Sequence, residues 1–301
     1  MKVMMIHDVR DVDPHFFPNR YKLPSFLSKC NFYKGLESLG KNTLNSNFYS
    51  ILDAIKFGNF DYILTFDDGL KDHLEVAHYL NKKEISAIFF VPTDVCSDPA
   101  TFIDSNLIQF VLASGPENEI MSDLIVFMKK RGFTERTLSH FKKSRWTNNT
   151  WSNEMIFVTR VLREFPNAKL RQTALAFLAE KYIPIPLCEL HSKLYLSWGD
   201  IHEIHELGHF IGSHGAASFD YTFQSFPAIE DDLRRSSAAL NRFQGHTTLS
   251  YPNGGCNETV AALVQQCGFE VAFTTEAREF MHNDCIFRVP RFDASKERIF
   301  R

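Results

Sequence analysis

The sequence predicts an α/β protein: a (β/α) barrel, complete or partial, interrupted by one helical insertion. Three observations carry that expectation. Short apolar runs alternate with amphipathic stretches in both the first hundred and the last hundred residues. The run DYILTF at 61–66, a helical pattern at 71–82 and the run ISAIFFV at 85–91 make a strand–helix–strand unit, which implies parallel pairing. Between about 101 and 192 the strand signals cease while helical ones continue. The expected organisation is one domain over 1–301 with its insertion at about 101–192. An open doubly wound sheet is the second architecture the pattern allows.

Taken in order, Lys2–Ile6 is apolar and gives way to mostly polar residues at 7–13, so it reads as a first strand. The 61–66 strand stops abruptly at Asp67-Asp68-Gly69. Leu74, Ala77 and Leu80 then recur at helical spacing, and Pro92 closes the 85–91 strand. Inside the insertion, helices are expected at 107–113, 123–130, 153–164 and 170–181. Alternation resumes at Leu194. Ser197 stands at a helix N-cap with Asp200 placed as in a capping box, and Gly208 marks the stop. Phe210-Ile211-Gly212 reads as a strand, 228–242 as an amphipathic helix, 248–251 as a strand ending at Pro252, and 257–267 as a helix closed by Gly268. The last strands are expected at 270–274 and 286–289. The sequence has no internal repeat and no low-complexity segment.

Composition narrows the class. A hydrophobic fraction of 44% in 301 residues is ordinary for a globular protein, and a net charge of -3 gives no electrostatic reason for a nucleic-acid partner. The 29 phenylalanines point to a phenylalanine-rich core. The opening MKVMMIHDVR has an apolar run that stops at Ile6, short of the roughly 7–15 apolar residues of a secretory h-region, so a cytoplasmic location is expected. No window approaches the roughly 20 apolar residues of a membrane span, so no integral membrane segment is expected. Cys30, Cys96, Cys188, Cys256, Cys267 and Cys285 are scattered, without metal-binding spacing, and read as reduced, mostly buried thiols.

The strongest chemical signal is Thr65-Phe66-Asp67-Asp68-Gly69. Two adjacent carboxylates at the end of an apolar strand are costly to bury unless a cation or hydrogen bonds compensate them. At the C-terminal end of a barrel strand they face an active-site mouth. An Asp-Asp-Gly turn capping the next helix is the plainer alternative. The second signal is Gly212-Ser213-His214, again just after a strand. His73 and His78, on the helix after the aspartates, read as surface residues. His202, His205 and His209 flank one helix at a spacing also typical of a solvated face.

The series Asp67-Asp68-Gly69, IFFV at 88–91, LSWGDIHEIHELGHFIGSH, YPNGG, GFEVAFTTE and RVPRFD resembles, in order and spacing, the polysaccharide deacetylases of the NodB-homology type, carbohydrate esterase family four. The resemblance covers roughly 1–100 and 194–295 and leaves the insertion out. It implies a distorted (β/α) barrel. By position it implies Asp67 as catalytic base, Asp68 and His214 as ligands of a divalent metal such as Zn²⁺, and Asn253 as the residue whose backbone N–H holds the oxyanion. The chemistry is coherent on its own terms. A divalent ion lowers the pKa of bound water and polarises an amide carbonyl, and a neighbouring carboxylate takes the attacking water's proton.

Three departures from the family pattern stand out. The family's second metal histidine lies four residues after the first, where this chain has Ser218. The arginine that opens the third motif is replaced by Ser250, leaving Arg288 or Arg291 as candidate charge partners of the base. The late Leu-x-His motif that supplies a histidine acid has no counterpart. His7, at the end of the first strand, is open to three readings: a replacement ligand, a proton donor or a hydrogen-bonded structural residue. The expected activity is hydrolysis of an N-acyl group, an acetamide first of all, from an amino sugar in a surface polysaccharide or lipopolysaccharide precursor. A deacetylase-like protein that binds a sugar without cleaving it, and an amide hydrolase on a non-sugar substrate, are the alternatives.

Overall fold

The computed structural model describes residues 1–11, 26–39, 42–44, 50–142, 151–165 and 167–301. Residues 12 and 13 of the polar run, and 143–150 and 166 of the insertion, lie outside these. The chain divides into two compact units. One comprises Met1–Asp11, Ser25–Thr101 and His191–Arg301, and the other is built on Phe102–Leu190.

The first unit holds a parallel seven-stranded sheet. Its strands are β1 (Lys2–Ile6), β4 (Tyr62–Phe66), β5 (Ile88–Val91), β6 (Phe210–Ser213), β7 (Thr248–Ser250), β8 (Val271–Phe273) and β9 (Phe292–Asp293), with β2 (Asp8–Val9) and β3 (Phe26–Leu27) forming a separate short pair. The spatial order is β8-β7-β6-β5-β4-β1-β9. Strands added in sequence on one side make a curling sheet, whereas a doubly wound sheet reverses direction at a switch point. The sheet therefore forms a half-barrel and not the open alternative. Val289 bridges to Phe273 at one edge, and Phe292 and Asp293 pair with β1 at the other. The run Val289–Asp293 thus reaches both edges of the sheet.

Around the strands lie α1 (Lys29–Ser38), α2 (Ile51–Phe57), α3 (Asp72–Lys82), α4 (Thr93–Ser97), α11 (Trp198–Glu206), α12 (Phe226–Leu240) and α13 (Glu258–Gln266). The capping box at Ser197 and Asp200 is formed on α11. Residues 286–288, expected as a strand, are a 3₁₀ turn, and the closing strand is β9 instead. Val3, Ile63, Ile88, Phe90, Phe210, Val271, Phe273 and Val289 pack together inside the curl. Met4, Ile6, Leu64, Phe66, Phe89 and Ile211 point the other way, against Val76, Ala77, Leu80, Ile201 and Ile204 of α3 and α11. The second unit contributes α5 (Asp104–Ser114), α6 (Glu117–Lys129), α7 (Glu135–Ser139), α8 (Asn153–Glu164), α9 (Ala168–Tyr182) and the start of α10 (Leu187–Leu194), with no strand among its described residues. All six cysteines are free thiols, but none is buried: Cys30, Cys188 and Cys285 are exposed and the others half-buried. Among the described residues no helix is long and apolar enough to cross a membrane.

His209 is buried between α3 and the sheet, not on a solvated face. Its Nδ1 accepts from Ala87 N–H at 3.2 Å and its Nε2–H donates to Ala77 O at 3.0 Å, so the neutral ring is fully used. Burial pushes its pKa down from 6.5 to about 4. An unfolded chain takes up that proton near pH 6.5 and the native state refuses it until about pH 4. Stability is therefore expected to fall as pH drops through this window, by about 3 kcal/mol for this group. His209→Phe should flatten that limb of a plot of Tm against pH, and an unchanged limb would reject the assignment.

Candidate active site

The alternation that fills the half-barrel also builds the site. Along β1 the inward positions are Val3, Met5 and then His7; along β4 they are Ile63, Thr65 and Asp67. Along β6 they are Phe210, Gly212 and His214, and Ser250 ends β7 on the same side. Each apolar interior series ends in a polar residue at the C-terminal end of its strand. Gly212 is required by packing: a Cβ there would stand 2.6 Å from the Phe90 ring and 2.5 Å from Thr248 Oγ1.

Asp67 is held by a complete set of donors. Arg291 Nη1 donates to its Oδ1 at 2.8 Å and Nη2 to its Oδ2 at 2.7 Å, while Ser250 Oγ donates to Oδ2 at 3.0 Å. Arg291 is fully buried. Its remaining donors go to Thr65 Oγ1 (3.0 Å), Ser250 Oγ (2.8 Å) and Thr274 O (2.9 Å), so all five guanidinium N–H groups are used. Burial raises the Asp67 pKa, but the Arg291 charge and its hydrogen bonds, together with His214 and His7, more than reverse this and hold the carboxyl well below the usual carboxylate range. Arg291 reaches the interior because it lies in the Val289–Asp293 run that touches both sheet edges. Arg288 is not a partner of the base: it is exposed, on the 3₁₀ turn before that run.

Asp68 would point away from the interior if the strand continued. Instead it takes a left-handed conformation (φ 75°), as does Gly69 (φ 60°), and the turn carries its carboxylate back. Its Oδ1 lies 3.3 Å from His214 Nε2. His214 Nδ1 donates to Ser250 O at 3.0 Å, so the protonated ring donates Nε2–H to Asp68, and the neutral ring carries its lone pair on Nε2, where a metal would bind. Burial raises the Asp68 pKa, and the hydrogen bond with His214 together with the His7 and His214 charges outweighs it and lowers the carboxyl. Burial lowers His214 in turn, and the hydrogen bond with Asp68 together with the charges of Asp67 and Asp68 carries it above its ordinary value.

The loop after His214 is shaped by a buried acid. Asp232, on α12, accepts from Ala216 N (3.0 Å), Ala217 N (2.8 Å) and Tyr221 Oη (2.8 Å). These bonds fix the turn that runs from Gly215 (φ 71°) to Ser218 (φ 54°). Asp232→Ala would orphan two buried donors and one half-buried one, at about 1–3 kcal/mol for each buried one. It is expected to lower Tm by on the order of 5–10 °C. A melting temperature within a degree of wild type would defeat this account.

His7 is half-buried, in line with Asp67 on the neighbouring strand, and is close enough to lower both aspartates electrostatically. Asn253 sits exposed at the tip of the YPNGG turn in a left-handed conformation (φ 56°).

Among curated proteins none matches the chain in sequence. The family model described as "Polysaccharide deacetylase" matches residues 165–272. Three solved structures share the fold. The Streptococcus pyogenes deacetylase PplD in complex with acetate has a TM-score of 0.56 at 13% identity, covering 97% of this chain and 91% of its own. A de-N-acetylase from Aggregatibacter actinomycetemcomitans gives 0.54 at 14%, covering 98% and 95%. The BpsB deacetylase domain from Bordetella bronchiseptica gives 0.53 at 12%, covering 97% and 94%. The chain is therefore similar to the polysaccharide deacetylases over residues 165–272 and shares its fold with solved deacetylases.

Polysaccharide deacetylases invite a divalent ion beside the second aspartate, and the residues here meet that demand in part. Asp68 and His214 converge, and the hydrogen bond from His214 Nδ1 presets the tautomer a metal ligand needs. A third protein ligand is not in place. Ser218 stands at the corresponding position, and the rings and carboxylates of His7, Asp68 and His214 do not come together within 4.8 Å. The set fits an ion held by two side chains and does not fit a closed three-ligand zinc site. Among the described residues, one trio of metal-type ligands does lie within 4.8 Å: His202, His205 and Glu206 on α11. There His205 Nε2 accepts from Gln244 N–H at 3.2 Å, which puts the ring proton on the Nδ1 that would have to bind.

Proposed function

We propose that the protein removes an N-acyl group, most simply acetyl, from an amino sugar of a surface polysaccharide or its precursor. The observation that carries this reading is the Asp67–Arg291–Ser250 cluster beside Asp68 and His214. A fully buried arginine with every donor used holds one carboxylate ionised and fixed at the mouth of the half-barrel. A sugar-binding protein without hydrolytic activity has no need of such a group.

In this mechanism Asp67 takes the proton of an attacking water on Oδ1, which accepts from Arg291 alone and keeps a lone pair, whereas Oδ2 accepts from both Arg291 and Ser250. Asp68 and His214 are the side chains that would hold a divalent ion, Zn²⁺ among the candidates. When bound, such an ion supplies Lewis-acid polarisation of the amide carbonyl and a more acidic water. The backbone N–H of Asn253, in its rigid left-handed turn, is placed to steady the developing oxyanion. His7 donates the proton that the leaving amine needs. It follows the strand next to that of Asp67 and is reachable from solvent, and no Leu-x-His follows the YPNGG turn to provide another acid.

The test is acetate release from N-acetylated sugars by protein supplied with Zn²⁺, Co²⁺ or Mn²⁺. Three substrate classes separate precursor from polymer: a nucleotide sugar, a lipid-linked sugar and an oligosaccharide such as N-acetylated chitotetraose. Absence of acetate with all three classes and all three metals would overturn the reading.

A further inference from the structure

We propose that His73 is a positioning residue for His7, holding the backbone from which the His7 imidazole reaches the active-site mouth. The inference rests on His7 being the proton donor of the reading above, but the placement itself stands on geometry alone.

His73 is fully buried in the first turn of α3, with the Phe66 and Phe89 rings at 5.3 and 5.9 Å. Its Nε2 lies 2.7 Å from His7 O. Its Nδ1 has no partner among the described residues. The acceptor is a carbonyl, so the ring proton sits on Nε2 and the bond is a donation to His7. Burial lowers the His73 pKa and keeps the ring neutral, which suits a single donor.

An orphaned buried nitrogen is a standing penalty. A phenylalanine at this position would avoid it, among neighbours that are themselves phenylalanines. What histidine offers in exchange is the bond to His7 O. That carbonyl has left the β1–β4 ladder: Asp67 N–H takes the preceding carbonyl, Ile6 O, at 2.9 Å, and β1 ends there. Asp72, the residue before His73, grips the same segment by accepting from Val9 N at 2.5 Å and Arg10 Nη2 at 2.8 Å. The first two residues of α3 therefore hold 7–10 at three points. Only Gly69, Leu70 and Lys71 separate them from Asp68, so a single turn of chain sets both carboxylates and His7.

Two measurements test this. In ¹⁵N–¹H spectra of the histidine rings, His73 should report an Nε2–H tautomer. His73→Phe should shift the His7 ring signals while those of His246 stay in place. With N-acetylated chitotetraose, His73→Phe should lower kcat about tenfold, the scale of one lost hydrogen bond, with KM changed less than twofold. His73→Gln, which keeps a donor at similar reach, should recover most of that loss. In a His7→Ala background, His73→Phe should cost less than a further twofold. Additive losses in the double variant, or unmoved His7 signals, overturn the proposal. A wild-type protein that releases no acetate would instead reject the hydrolytic reading, and the ring spectra would still decide the placement.

Discussion

Asp67→Asn is expected to lower kcat by about 10²–10⁴-fold, the range that general base catalysis supplies, while leaving bound metal nearly unchanged. Asp68→Ala should remove metal and activity together. The division follows from the two sets of partners. Asp67 faces Arg291 and Ser250, whereas Asp68 faces the Nε2 of His214. The asparagine variant carries a second, structural effect. It leaves the Arg291 charge buried without its counter-ion, and breaking such a pair typically costs about 3–5 kcal/mol. Turnover must therefore be compared well below the variant's melting temperature. Metal content by elemental analysis together with turnover separates the roles. If Asp67→Asn keeps substantial activity, Asp67 is not the base. If both variants lose metal equally, both carboxylates are ligands.

Much of this site was legible because strand alternation is strict. Once Ile63 and Thr65 face inward, Asp67 must follow, and Val3 and Met5 fix His7 in the same way. The turn that brings Asp68 back to His214 was less visible, since nothing in an Asp-Asp-Gly triplet states which aspartate adopts a left-handed φ. Arg291 was one of two candidates. Choosing it over Arg288 required knowing that 286–288 is a 3₁₀ turn and that the inward run begins at Val289, and a short apolar string does not tell strand from turn. His73 was misread as a surface residue although the signal was present: His73, Val76, Ala77 and Leu80 follow the i, i+3, i+4, i+7 pattern of a buried helix face. Asp232 had a similar signal, lying with Ile229, Leu233, Ser236 and Leu240 on the buried face of α12. It was masked by its neighbours Glu230 and Asp231, which form exposed ion pairs with Arg234 and Arg235 and make the run of acids read as a solvated face. Helices α1 and α2 went unpredicted, though Ser28 and Ser50 cap them as the rules for helix starts allow.

Ser218→His is expected to tighten divalent metal binding by on the order of a hundredfold, because four-ligand structural zinc sites are worth about 10–16 kcal/mol in all, near 3 kcal/mol per ligand. The present pair, Asp68 and His214, should hold an ion that exchanges readily and is often lost on purification. Position 218 suits the change. It is buried, and its loop is pinned by Asp232 through Ala216 and Ala217, so a new imidazole would arrive on a fixed backbone. Its left-handed φ of 54° is native to serine here and is tolerated by histidine better than by most residues, so the substitution adds little backbone strain. His7→Ala is the necessary companion. With His7 acting as acid, it lowers turnover and leaves metal affinity alone. With His7 swinging in to complete the site, it loses metal, and Ser218→His then restores what was lost. Calorimetric titration of the two single variants and the double variant with Zn²⁺ distinguishes these outcomes. Tight binding in wild type that survives His7→Ala and gains nothing from Ser218→His would show that another ligand completes the site and that the two-ligand description is wrong.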